Sequence, residues 1–194
     1  MKEYKIVEFG NLKDIQKEQA IDIIIEGFGH MMTFTKDKAI LKEIFRNGFH
    51  PSLFLCYVED EEVLGVMGLG TNKVRPLKFE QDICMSLFGK RKGTILSKQM
   101  NAIFQVPVVK GDRDLYIDIL ATAGDARRKG VATKLLSYAF EIQEYEVFYI
   151  EVFSKNENAV KLYKKIGFNA YKKEKFSPMI FLGFGYPILM RRER

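Results

Sequence analysis

The stretch Leu115–Phe140, LYIDILATAGDARRKGVATKLLSYAF, decides the fold. It opens with LYIDILAT, a nearly continuous apolar run of strand length, and ends in VATKLLSYAF, whose apolar residues recur at helical spacing. Between them a turn crowds Arg127, Arg128 and Lys129 against Gly130. VFYIEVF (147–153) is a second nearly continuous apolar strand. Strand, helix and strand at this spacing predict a right-handed crossover and a parallel pair buried on both faces.

Upstream, Tyr4–Phe9 alternates polar and apolar residues as a strand does, and Leu12 to Glu26 carries Ile15, Ala20, Ile23 and Ile24 at helical spacing. GFGHMMTFT (27–35) breaks that pattern, and a short helix is expected over Lys36–Arg46, ending at Asn47-Gly48. SLFLCYVEDEEVLGVMGLG (52–70) reads as a hairpin, with strands Leu53–Val58 and Glu62–Leu69 about an acidic turn. Residues 71–114 form an insertion with an amphipathic helix around Thr94–Phe104. Downstream, AYKKEKF and FGYPILMRR offer two more strands, the last placed at a sheet edge by Pro187.

The composition is that of an ordinary globular protein: 194 residues, 47% hydrophobic and 29% charged, enough for one domain with a substantial core. Cys56 and Cys84 lie far apart, and His30 and His50 are the available imidazoles, so reduced thiols and no metal site are expected. The N-terminus lacks the apolar core of a signal peptide, and no run approaches the roughly 20 apolar residues of a membrane span, so a cytoplasmic protein with no membrane partner is expected. A net charge of +6 points to a nucleic acid, a membrane surface or one polyanionic small molecule. The positive charge concentrates in KVRPLK, GKRKG and ARRKG.

Cations placed where a helix begins oppose its dipole, unless an anion lies between them and the helix end. A glycine turn leading into a helix exposes unpaired backbone N–H groups that bind phosphate oxygens. The flanking cations then neutralise a ligand with more than one phosphate. Gly130 lets the backbone approach closely, and the small Ala132 leaves the first turn unobstructed. Neither the GxxxxGK[ST] loop nor the dinucleotide GxGxxG occurs.

Arg127-Arg128-Lys129-Gly130-Val131-Ala132 matches Arg/Gln-x-x-Gly-x-Gly/Ala, the pyrophosphate motif of the GNAT superfamily of acyl-CoA-dependent N-acetyltransferases. YIDILAT resembles the family's fourth strand, and NENAVKLYKKIGF (156–168) resembles its later motif Asn-x-x-Ala-x-x-Leu-Tyr-x-x-x-Gly-Phe. The resemblance covers about Asp114–Phe168. It implies an α/β (α+β) fold with a central, mostly antiparallel mixed sheet, one parallel splayed pair and helices on both faces. It also implies a single domain over residues 1–194 with its insertion at about 71–114.

The activity implied is direct acetyl transfer from acetyl-CoA to a primary amine, small molecule or protein, without a metal. By position in the family, the backbone near Leu120 and Thr122 would bind the thioester carbonyl and the pantetheine arm. Arg127, Arg128, Lys129, Gly130, Val131, Ala132 and Thr133 would hold the pyrophosphate. Tyr163 matches the family's general acid toward the thiolate, and packing on its amphipathic helix is the alternative. Asn156 matches a contact to the CoA arm and also suits a helix N-cap. Asp118 and Glu151 are carboxylates inside apolar strands, where burial raises the pKa and makes a general base; pairing with a backbone donor or a lysine is the alternative. His30 borders the family's acceptor side, or is merely packed.

Two other functions fit parts of the sequence. A nucleic-acid-binding module would use the basic clusters, but it leaves the strand-turn-helix placement of ARRKG and the match over Asn156–Phe168 unexplained. A CoA-binding sensor without turnover would keep the motifs and lack the reaction. The resemblance allows a homodimer and leaves the acceptor amine unnamed.

Overall fold

In the computed structural model, which describes residues 3–194, the N-terminal alternation forms strand β1 (Tyr4–Glu8). Helix α1 (Asp14–Phe28) follows, burying Ala20, Ile21, Ile23, Ile24 and Ile25, while Ile15 is exposed near its start. Helix α2 (Lys38–Gly48) begins where the Asp37 carboxylate accepts from the backbone N–H of Ala39 at 2.8 Å. This cap satisfies a donor that the first helical turn leaves without an intrahelical partner. The hairpin comprises β2 (Phe54–Glu59) and β3 (Glu62–Gly70), with Asp60 and Glu61 at φ 50° and 65°. Positive φ at both turn residues matches the twist of the strands they join.

The segment leading to β4 (Asp114–Thr122) holds two helices, α3 (Gln81–Phe88) and α4 (Lys90–Phe104), of which only the second was placed in advance. The helix expected from about Thr94 begins at Lys90, so Gly93 of the basic cluster GKRKG lies inside α4. A Cβ there would stand 2.3 Å from the Cys84 carbonyl oxygen, so this glycine is where α3 and α4 cross. Beyond β4 come α5 (Val131–Glu141), β5 (Val147–Phe153), α6 (Glu157–Lys165), β6 (Asn169–Lys173) and β7 (Pro187–Glu193).

The strands form one seven-stranded sheet in the order β1-β2-β3-β4-β5-β7-β6, in which only β4–β5 is parallel. The placement of the last strand differs from expectation: β7 lies inside the sheet and the shorter β6 forms the edge. Pro187 is tolerated because it is the first residue of its strand. Only part of the apolar tail is core, since Ile188 and Met190 are buried while Ile180, Phe181 and Leu182 are exposed. Among the described residues no helix is long and apolar enough to cross a membrane.

Two apolar clusters sandwich the sheet. One joins α1, α2 and Cys84 of α3 to β2, β3 and the end of β4; the other joins α5 and Tyr163 of α6 to β4, β5 and β7. A bulge in β4 sets the boundary between them. Ile119 pairs with Gly68 and Ile117 with Leu69, which leaves Asp118 without a partner in β3. The extra residue reverses the facing of everything after it. Leu115 and Ile117 therefore pack toward α5, whereas Ile119 and Ala121 pack toward α1.

Candidate active site

The parallel pairing of β4 and β5 runs from Asp114–Val147 to Ile117–Ile150 and stops there. β4 continues against β3 as far as Thr122–Gly65, and β5 continues against β7 as far as Phe153–Pro187. The two strands therefore diverge beyond Ile117 and Ile150, leaving a wedge at their C-terminal ends. Ala123 N–H donates to the Leu64 carbonyl on the β3 side at 3.0 Å. Backbone groups alternate in direction along a strand, so the N–H groups of Leu120 and Thr122 point away from β3, into the wedge.

At the open end of β4 the chain turns through a short 3₁₀ segment, Gly124–Ala126, and enters α5 at Val131. Arg128 and Gly130 have φ 64° and 85°, and no side chain caps the helix. Positive φ at Gly130 is the conformation that glycine adopts without strain. A Cβ at Gly130 would meet nothing within 4 Å, so the space over the first turn is open. The N–H groups of Val131, Ala132 and Thr133 lie in that first turn, where α-helical donors lack intrahelical acceptors. Arg128 and Lys129 are exposed, whereas Arg127 donates to Glu26 at the end of α1 at 2.7 Å. An unpaired helix start with cations beside it suits a polyphosphate anion.

At the narrow end of the wedge, Arg75 donates to both carboxylate oxygens of Asp118, at 2.5 and 2.7 Å, and to the Val106 carbonyl at 2.7 Å. Both side chains are about nine-tenths or more out of solvent, at 6% and 5% exposure. Burial raises the Asp118 pKa and the guanidinium opposes that shift; burial alone would lower that of Arg75, but Asp118 outweighs it and holds the cation charged. Asp118 is thus the partner of an arginine from the basic cluster KVRPLK. Only a buried carboxylate 43 residues away makes Arg75 an interior residue, and no local pattern carries that information.

Glu151 alternates with the buried Ile150 and Val152, and so lies on the opposite face of β5. Its carboxylate makes no hydrogen bond or ion pair with any described residue, and it is exposed on the sheet face, not buried as its apolar strand suggests. The surrounding protein and then the charges of Glu174 and Asp118 still raise its pKa, against the pull of Arg75 and Lys172. Tyr163 is buried on α6 beside Phe168, its hydroxyl makes no hydrogen bond to a described residue, and burial raises its pKa. Asn156 caps α6, accepting from Ala159 N–H at 3.3 Å. His30 is exposed in the turn after α1, its ring 5.4 Å from that of Phe184 in the β6–β7 connection.

The model of the family described as Acetyltransferase (GNAT) matches residues 24–168. The chain belongs to this family. Its GNAT fold extends over whole solved structures: a GCN5-related N-acetyltransferase from Kribbella flavida is 16% identical with a TM-score of 0.64, covering 98% of each chain. An N-acetyltransferase from Staphylococcus aureus is 17% identical with a TM-score of 0.62, over 96% of this chain and 99% of that one. A chain of the NatC complex bound to Gag peptide and CoA is 16% identical with a TM-score of 0.56, over 99% of each chain. No curated protein matches the sequence. Membership makes the protein a GNAT acyltransferase and places an acyl-CoA among its ligands.

Within the GNAT fold, Leu120 and Thr122 lie on one arm of the wedge and Glu151 on the other, with the Arg127–Thr133 turn continuing from the first arm. Glu26 and Arg75 were missed. Each is a single charged residue whose partner is remote in sequence, at 101 and 43 residues.

Proposed function

We propose that this GNAT protein is an N-acetyltransferase that moves the acetyl group of acetyl-CoA directly to a primary amine. The observation that carries this reading is the wedge itself: two strand N–H groups aimed into it, and an uncapped, cation-flanked helix start at the end of the same strand. Both features bind anionic oxygen, one a developing oxyanion and the other phosphate.

The first-turn N–H groups of Val131, Ala132 and Thr133 hold the pyrophosphate, with Arg128 and Lys129 neutralising its charge. The thioester oxygen takes the N–H of Leu120, and the pantetheine arm that of Thr122. Asn156 keeps its capping bond and borders the arm. Glu151 accepts a proton from the substrate ammonium, and the freed nitrogen attacks the thioester carbon. The tetrahedral oxyanion collapses with cleavage of the C–S bond and loss of the second nitrogen proton. Tyr163 protonates the departing sulfur and is reprotonated from solvent. The products are the acetamide and CoA thiol, with one net proton released. Asp118, engaged by Arg75, takes no part in proton transfer.

Calorimetric titration with acetyl-CoA, beside a duplex DNA control, tests the reading. Saturable binding that Gly130→Glu abolishes is expected, because a carboxylate would then occupy the phosphate position. Absence of acetyl-CoA binding, with salt-dependent DNA binding in its place, would reject it. Release of CoA thiol on adding an amine distinguishes the enzyme from a sensor.

A further inference from the structure

On the face where α1 and α2 cover β2, β3 and the end of β4, the other half of the sheet is lined differently. Phe148, Ile150 and Val152 of β5 belong to the core beneath α5 and α6, so Tyr149, Glu151 and Phe153 face the opposite way. Tyr149 meets the ring of Tyr171 edge-on at 6.0 Å. Phe153 lies 5.8 Å from Phe184, which in turn lies 5.4 Å from His30. Two aromatic pairs thus stand on either side of Glu151 along β5. Contact between the turn after α1 and the β6–β7 connection closes the far end.

The charge on this face is simple. Asp118 is held by Arg75, Glu174 by Lys172 at 2.8 Å and Glu193 by Arg191 at 3.3 Å, while Asp114, beside Tyr149, accepts from the Gly111 N–H at 2.9 Å. Glu151 alone among these carboxylates has no partner among the described residues. A single unneutralised carboxylate between aromatic rings complements one cation joined to an apolar body. A second ammonium on the acceptor would find no open carboxylate next to Glu151, because Asp118 and Glu174 are already paired with cations. An extended polypeptide would have to pass where His30 and Phe184 meet.

We infer that the acceptor is a small primary amine with one positive charge and an aromatic or aliphatic body, its ammonium on Glu151 and its body against Phe153 and Phe184. This assignment rests on the acetyl-transfer reading above and specifies its second substrate.

The test is the initial rate of CoA thiol release with 2-phenylethylamine and hexylamine, against spermidine, kanamycin and a peptide with a free, apolar N-terminal residue. The calorimetric acetyl-CoA titration is run on the same preparations. The two monoamines are expected to show kcat/KM about tenfold or more above the others. Phe184→Ala should raise KM for 2-phenylethylamine about tenfold, with acetyl-CoA affinity unchanged and Phe184→Leu largely preserving activity. Preference for spermidine, kanamycin or the peptide overturns the inference, as does saturable acetyl-CoA binding with no turnover of either monoamine. Loss of acetyl-CoA binding itself overturns the acetyl-transfer reading, and this inference with it.

Discussion

Arg75 grips both carboxylate oxygens of Asp118 at the one residue where β4 bulges. The same guanidinium holds the Val106 carbonyl beyond the end of α4, so one side chain ties the helical segment between β3 and β4 to the strand that borders the wedge. Removing one member of a buried pair leaves the other charge uncompensated, at a cost of about 3–5 kcal/mol. Arg75→Met is expected to destabilise by that amount, and Arg75→Met combined with Asp118→Leu by much less. Urea denaturation of the two variants checks this. Because the bulge turns the Leu120 N–H toward the wedge, Arg75→Met should also lower kcat more than it weakens acetyl-CoA binding.

The thiols give a second check on the core. Burial pushes the Cys56 pKa up to about 12 and raises that of Cys84, and both side chains are free and buried. Thiolate is the reactive form, so the native protein should react negligibly with a thiol reagent at pH 8 and show both cysteines after unfolding. A stoichiometric reaction in the native state would contradict this packing. Slow reaction also permits colorimetric measurement of CoA release.

The parallel pair, the turn into α5 and the cap of α6 were legible because each is written in adjacent residues: an apolar run, a glycine with its cations, an asparagine before a helix. The wedge was legible only through family resemblance, since no local signal says where Ile117 and Ile150 stop pairing. Arg75 was unreadable because KVRPLK presents the same letters whether its arginine meets water or a carboxylate on another strand. In the 71–114 segment the short α3 went unread because its eight residues span only about two turns, and the start of α4 was hidden by Gly93, which looks like a breaker but lies at a helix crossing. The position of β7 was misjudged because Pro187 signals an edge only when it falls within a strand, not at its first residue.

Tyr163 has a phenol raised by burial and a hydroxyl with no hydrogen bond to a described residue. Removing that hydroxyl therefore breaks no structural bond. Tyr163→Phe is expected to leave the melting temperature and acetyl-CoA affinity nearly unchanged while lowering kcat about 100-fold, the lower range for a general acid. A variant with full kcat would restrict Tyr163 to packing.

Glu151 gives the sharpest prediction because its stability and activity effects have opposite signs. A carboxyl whose folded pKa lies above its unfolded value binds its proton more tightly when folded. Its favourable contribution is complete below the unfolded pKa and is lost as pH rises through the folded one. At pH 7.5 the charged Glu151 thus opposes folding, weakly because its side chain is open to solvent, and Glu151→Gln should raise the melting temperature there by a small margin that shrinks further at pH 4. A general base must be unprotonated, so kcat/KM in the parent enzyme should fall as pH drops through the raised pKa of Glu151. Glu151→Gln should lower kcat/KM about 100-fold at pH 7.5 and remove that acid limb. The groups facing Glu151, namely Asp118, Arg75, Tyr116, Tyr171, Lys172 and Glu174, remain in the variant, so any acid limb that survives belongs to Asp118, Glu174 or the amine. Melting curves and pH–rate profiles of the two proteins, measured in the same buffers, decide the matter: a more stable but inactive variant identifies a base held at the expense of the fold, whereas unchanged kcat/KM would remove Glu151 from both proton transfer and ammonium binding.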